Sequence, residues 1–201
     1  MQPQHQFNES DVEVQDRQTV FQGFFKMIRL RLRHKLFAGG WSEPMDRELF
    51  EREPCVGVLI FDPKHRLIAL TEQFRVGVLG QGQNPWQFEV VAGISEPGET
   101  LPEVARREVM EEAGLETDKL IAMCDYWVSP GGSNERMHLF CALVDLTDAG
   151  GVFGVAHESE DIRLHVFPEQ QVYEWLDQGL LNNAATTISL MWLQINRQRF
   201  L

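Results

Sequence analysis

Cysteine is scarce in this chain: Cys55, Cys124 and Cys141 are the only three in 201 residues, too few and too scattered for a disulfide framework. No CxxC pair and no histidine spacing suggests a zinc site. The thiols are therefore expected to be reduced and mostly buried. With nine prolines and 43% hydrophobic residues, the sequence is neither collagenous nor disordered. No apolar run approaches the roughly 20 residues needed to cross a bilayer. The opening stretch MQPQHQFNES has neither the basic end nor the apolar core of a signal peptide. A cytoplasmic protein with no membrane association is the expectation. Basic residues are also short: 18 Lys+Arg against 30 Asp+Glu give a net charge of -12. That balance repels polyphosphate backbones unless a cation or a local basic patch intervenes, so nucleic acid is not an expected partner.

What is present is periodicity without repeats, and the length suits one compact domain with an appendage or two small ones. From Phe24 to Leu36, apolar Ile28, Leu30 and Leu32 alternate with Arg29, Arg31 and Arg33, the period of a strand with one wet face. Gly39-Gly40 permits a turn, and a second extended stretch runs from about Arg47 to Glu53 before Pro54. Residues 1–53 thus read as an N-terminal β segment. From residue 54 to 201 the pattern is that of a main body with strands buried on both faces: CVGVLIF, LIALTEQF and FEVVAG. A helix from about Leu101 to Ala113 follows, then strand candidates near Ile121 to Val128, Met137 to Val144 and Ile162 to Phe167. Two helices close the chain, Pro168 to Gln178 and a longer one capped by Asn182 or Asn183. The class is α/β, a mixed sheet with helices on its faces.

The helix at 101–113 carries the chemistry. Glu108 and Glu112 are four residues apart and Glu111 is three from Glu108, so three carboxylates share one flank. They crowd toward the C-terminal end, where the macrodipole disfavours anions. Each like-charged pair costs about 0.2–0.5 kcal/mol without a counter-charge. A divalent cation explains the arrangement, and carboxylates without His or Cys select a hard ion, Mg²⁺ or Mn²⁺. The plainer alternative is a solvated helix whose Arg106 and Arg107 pair with neighbouring glutamates.

The spacing decides between them. GISEPGETLPEVARREVMEEAGL resembles the signature of the Nudix hydrolases: glycine, five residues, glutamate, seven residues, Arg-Glu-aliphatic, one residue, Glu-Glu, one residue, Gly-aliphatic. Gly93, Glu99, Arg107, Glu108, Val109, Glu111, Glu112, Gly114 and Leu115 fill every position. The resemblance implies an α/β/α sandwich, here preceded by the N-terminal β segment, that directs water onto a diphosphate joined to another moiety. It implies that Glu108 and Glu112 are metal ligands, with Glu111 a ligand or its neighbour and the backbone carbonyl of Ala92 completing the site. Arg107 would orient the glutamates with Glu99.

Other segments are similar to the ADP-ribose diphosphatase group of that family. Pro130 in YWVSPGGSNERMHLF stands sixteen residues after Gly114, a placement typical of the group. That loop makes Ser129, Pro130, Gly131 and Glu135 substrate-contact candidates. In GVAHESEDIRLHVF, Glu158, Glu160 and Asp161 precede a strand, and a carboxylate on such a loop can take a proton from attacking water. The resemblance assigns Glu158 as general base and Glu160 as a further metal ligand. It also implies a homodimer that exchanges the N-terminal segment and helps form an adenosine pocket. On that basis Phe24 and Phe25 are candidates for adenine, and Arg47, Glu48 and Arg52 for substrate. Arg75 is a candidate for phosphate and Ile94 for a backbone contact. An aromatic pair is a stacking platform and arginine binds phosphate bidentately, although Phe-Phe is more often core. The expected reaction is cleavage of ADP-ribose to AMP and ribose 5-phosphate. Within the family another nucleoside diphosphate sugar, such as GDP-mannose, is the alternative substrate, and outside catalysis a silent ADP-ribose-binding module.

Overall fold

The computed structural model describes residues 3–155 and 159–200. The chain divides into two compact units, one holding the chain up to Glu53 together with Trp127–Glu135, the other Pro54–Tyr126 and the chain from Arg136 onward.

The first unit is built on an antiparallel sheet of β1 (Val12–Gln22), β2 (Lys26–His34) and β3 (Met45–Glu51), with β2 in the middle. The alternation of β2 is realised, since Ile28 is fully buried while Arg29 and Arg31 are exposed. The arginines are cross-strand partners of acids and amides on both neighbours: Arg33 pairs with Glu13 at 2.6 Å, Arg31 with Asp46 at 3.3 Å, and Arg29 donates to Gln18 at 2.5 Å. Such pairs contribute a few tenths of a kcal/mol each and chiefly hold register. β1 was not foreseen. Register shifts between Val14 and Asp16 and between Thr19 and Phe21 interrupt its period of two, and nearly all of it is exposed, so no apolar alternation survives in the sequence. The loop 127–135 joins this unit through Phe50, whose N–H donates to the Gly132 carbonyl at 2.8 Å and whose carbonyl accepts from Ser133 Oγ at 3.1 Å.

The second unit is a mixed sheet between helices. Its strands are β4 (Cys55–Asp62), β5 (Leu67–Phe74), β6 (Trp86–Glu89), β7 (Val91–Ile94), β8 (Leu120–Trp127), β9 (Arg136–Leu143), β10 (Gly151–Phe153) and β11 (Ile162–Pro168). The order is β10-β11-β5-β4-β9-β8, with β6 on β5 and β7 on β4, and β4 and β9 are parallel. Every residue of β4 is buried, as its unbroken apolar run requires of a strand covered on both faces. One face carries α1 (Leu101–Ala113) over Val56, Val58, Ile60, Ala69 and Leu164, through Val104, Ala105 and Val109. The other carries α2 (Glu169–Asp177) and α3 (Ala184–Asn196) over Leu59, Phe61, Ile68 and Leu70, through Val172, Leu190 and Leu193. Each such side chain contributes about 1.5–3 kcal/mol by leaving water, and the result is the α/β/α sandwich. Cys55 and Cys141 are buried in it, whereas Cys124 on β8 is exposed.

FEVVAG is not one strand. The chain changes partner at Val90, β6 pairing β5 and β7 pairing the first half of β4, whose second half pairs β5. The buried Val90 N–H is satisfied by Thr186 Oγ1 of α3 at 3.0 Å, as a break in a ladder inside a core demands. α1 begins at Thr100, whose N–H donates to Glu103 at 2.8 Å, and ends at Gly114, which takes the left-handed φ of 64°. Asn183, not Asn182, caps α3, accepting from the Thr186 N–H at 2.9 Å. Among the described residues no helix is long and apolar enough to cross a membrane.

Candidate active site

The acidic flank of α1 turns toward β7. Glu108 is 7% exposed and Glu112 3%, so two of the three clustered carboxyls are withdrawn from water while Glu111 stays half-buried. Compensation is unequal. Arg107 grips Glu99 with Nε at 2.8 Å and Nη2 at 3.0 Å, and its Nη1 reaches Glu108 at 2.7 Å and Glu111 at 3.0 Å. Its Nη2 also donates to the Ile94 carbonyl at 3.1 Å, tying the helix to the end of β7. Glu112 is held by one backbone donor, the Ala92 N–H at 3.1 Å. Burial raises the Glu108 carboxyl to about 7 against the pull of Arg107, with Glu111 and Glu160 adding to the rise. Burial raises Glu112 to about 8, with Glu108 and Glu160 adding to it and Ala92 N–H and Arg75 opposing. The Arg107 guanidinium beside Glu99 holds that carboxyl below its ordinary value.

β7 lies directly against the cluster. A Cβ at Gly93 would sit 1.7 Å from Glu108 Oε1, so the backbone lies against the carboxylate only because residue 93 has no side chain. Glu160 arrives from the segment before β11, its Oε2 accepting the Val155 N–H at 3.1 Å. Its charge acts on both Glu108 and Glu112, so three carboxylates from two elements converge. Arg75, just past β5, stands within electrostatic reach of Glu112. Its Nε meets Glu89 of β6 at 2.6 Å. Glu89 escaped the sequence reading, although a carboxylate inside the apolar stretch FEVVAG is a signal. The expected base, Glu158, lies outside the described residues.

The donor set suits a hard divalent cation. Two carboxyls whose burial raises their proton affinity, a third beside them, and no nitrogen or sulfur ligand among them fit Mg²⁺ or Mn²⁺ chemistry. A different group, Asp62, His65 and Asp145, also clusters. Its buried member Asp62 is already filled, accepting from the N–H groups of Lys64, His65 and Leu146 and the ring of His65, and it serves as the lock of the β4–β5 turn. A cavity of about 360 Å³ lined by Glu72, Asn84, Trp86, Val152, Asp161 and Arg163 contains none of the α1 carboxylates.

The first unit gathers a second set of expected residues. Phe24, 86% exposed, meets Phe25 edge-on at 4.9 Å, and Phe25 meets Phe50 at 4.9 Å. The Arg52 guanidinium lies 4.7 Å from the Phe25 ring centre and 3.4 Å from Glu135. Asn134 Oδ1 accepts the Arg52 N–H at 2.7 Å, and Ser133 Oγ accepts the Glu135 N–H at 3.1 Å. Ser129 closes the Pro130-Gly131 turn by accepting from Gly132 and Ser133. Phe24 is thus no core residue. Arg47 and Glu48 are exposed on β3; Glu48 lies opposite Arg29, and Arg47 donates to the Asp46 carbonyl. Phe50 and Asn134, which shape this cluster, were not singled out from sequence, and nothing in the spacing marks Asn134.

Residues 51–187 match the NUDIX domain. The chain is 42% identical over 192 residues to "ADP-ribose pyrophosphatase" of Escherichia coli strain K12, covering 96% of this chain and 92% of that protein. It is 32% identical over 155 residues to "GDP-mannose pyrophosphatase" of Escherichia coli O1:K1 / APEC, covering 75% and 78%. A solved structure titled "Crystal structure of ADP compounds hydrolase" superposes with a TM-score of 0.69 at 18% identity, covering 95% of this chain and 97% of that one, a likeness of fold. With the acidic helix, the glycine under Glu108 and these matches together, the chain belongs to the NUDIX domain family of hydrolases.

Proposed function

We propose that this protein is an ADP-ribose diphosphatase, hydrolysing the diphosphate to AMP and ribose 5-phosphate with a divalent cation. The observation that carries the substrate is the 42% identity spanning 96% of the chain to a protein of that activity. The complete acidic cluster argues against a silent binding module, whose usual mark is the loss of glutamates. Glu108, Glu112, Glu160 and the Ala92 carbonyl would hold Mg²⁺, with Glu111 beside them. When bound, the ion neutralises diphosphate charge and lowers the pKa of a water.

The chain's own groups do the rest. Arg107 fixes the orientation of Glu108 and Glu111, and Glu99 fixes Arg107. Arg75 presents positive charge to the diphosphate at the rim of the cluster. Glu158 takes the proton of the attacking water as general base. Phe24 and Phe25 offer ring faces to adenine, and Arg52, held by Glu135 and stacked on Phe25, completes a polar and aromatic clamp. Arg47, Glu48, Ile94 and the Ser129-Pro130-Gly131 turn supply the remaining contacts. In this reading two copies form a homodimer by exchanging the N-terminal segment. Three scattered cysteines without a disulfide framework suit a reducing compartment, and we place the enzyme in the cytoplasm.

Purified protein with Mg²⁺ should release AMP from ADP-ribose, with kcat/KM on GDP-mannose lower by about a hundredfold or more. Equal values for the two would overturn the substrate assignment. Glu158→Gln should lower kcat with KM little changed. A fall in affinity at constant kcat would put the base elsewhere.

A further inference from the structure

Glu89 sits at the end of β6, opposite Thr71 of β5, on the sheet face that carries α1. Thr71 Oγ1 donates to the Glu89 carbonyl at 3.2 Å, so the backbone is pinned on both strands. The Arg75 N–H donates to the Pro85 carbonyl at 2.8 Å, which closes the other side of the same loop. Between these two anchored backbones the side chains meet in one contact only, Arg75 Nε to Glu89 Oε2 at 2.6 Å. A guanidinium gripped at Nε is fixed in direction yet keeps Nη1 and Nη2 for another partner. Among the described residues neither terminal nitrogen makes a hydrogen bond. The Glu89 carboxylate is mostly buried while Arg75 stays partly exposed, as befits a holder and the group it holds. The guanidinium that Glu89 holds acts in turn on Glu112, so its direction bears on the acidic cluster.

We propose that Glu89 is a positioning residue that fixes the Arg75 guanidinium so that its two free nitrogens face a diphosphate held beside Glu112. The inference rests on the diphosphatase reading and assigns Glu89 a task in it. Arg75 binds phosphate in ground and transition states alike, so disturbing its direction weakens binding more than turnover.

The test is a double-mutant cycle of wild type, Glu89→Gln, Arg75→Ala and the double variant, read twice. Steady-state kinetics on ADP-ribose with Mg²⁺ should give Glu89→Gln a KM raised about tenfold with kcat within about threefold. The double variant should match Arg75→Ala within about twofold, because Glu89 acts only through the arginine. Calorimetry with magnesium pyrophosphate should show the same non-additivity in Kd, a reading that needs no turnover. Wild type inactive on ADP-ribose but with the non-additive Kd pattern would sink the diphosphatase reading and leave the positioning role standing. Additive effects, a wild-type KM for Glu89→Gln, or a raised Mg²⁺ requirement in Glu89→Gln alone would overturn the positioning role. The last result would make Glu89 a metal ligand instead.

Discussion

Replacing Glu112 by Gln should make the metal-free protein more stable at alkaline pH while abolishing its activity. Glu112 is buried, with a single N–H donor and acidic neighbours, and its carboxyl is raised from 4.5 to about 8. Below pH 4.5 it is protonated folded and unfolded, and contributes no pH dependence. As pH rises from there the unfolded chain loses its proton first, so stability falls, and the fall levels off only above about 8. At about 1.4 kcal/mol per tenfold change in proton affinity, the ionised carboxylate costs on the order of 3–5 kcal/mol. Gln keeps the shape and the Ala92 N–H bond and removes the charge. In EDTA at about pH 8.5 the variant should melt roughly 6–20 °C above wild type, at 2–4 °C per kcal/mol for a chain of this size. At about pH 4 the two should nearly coincide, because the carboxyl is then mostly protonated in both states and protonated Glu and Gln are near-isosteres. Excess Mg²⁺ should raise wild type and leave the variant unmoved. Thermal melts at both pH values with and without the ion check all three. A variant melting at or below wild type at the higher pH refutes the claim that Glu112 is held against its charge.

Gly93→Ala sets a methyl where Glu108 Oε1 lies, 1.7 Å away; the carboxylate must swing aside, so kcat on ADP-ribose should drop about a hundredfold with little change in melting temperature. Arg107→Ala leaves Glu99, Glu108 and Glu111 without their shared cation and should cost about 2 kcal/mol in urea unfolding at neutral pH, an unchanged midpoint counting against the account. Glu169 is 1% exposed and pairs with Arg66 and Arg197 while accepting from Tyr173. Glu169→Ala should destabilise by roughly 3–5 kcal/mol by stranding Arg197, and the folded fraction should keep its kcat. A change in kcat alone would tie that network to the active site.

The amino-acid sequence by itself determined the local features whose causes are local. A helix with acids at positions 108, 111 and 112, a proline inside its start and a glycine past its end is legible because 3.6-residue periodicity and capping act over a few residues. β4 is legible because burial on both faces leaves an unbroken apolar run, and Arg107 with Glu99 because their spacing is part of a recognised signature. Only the tertiary structure decided what depends on long-range pairing. The switch at Val90 that divides FEVVAG, the fit of Gly93 beneath Glu108, the arrival of Glu160 and the grip of Glu89 on Arg75 all join strands or loops distant in the chain. β1 was hidden because two register shifts erase its alternation. Solvent exclusion, which no window of sequence measures, raised the proton affinity of Glu108 and Glu112 and left Glu111 a half-wet neighbour.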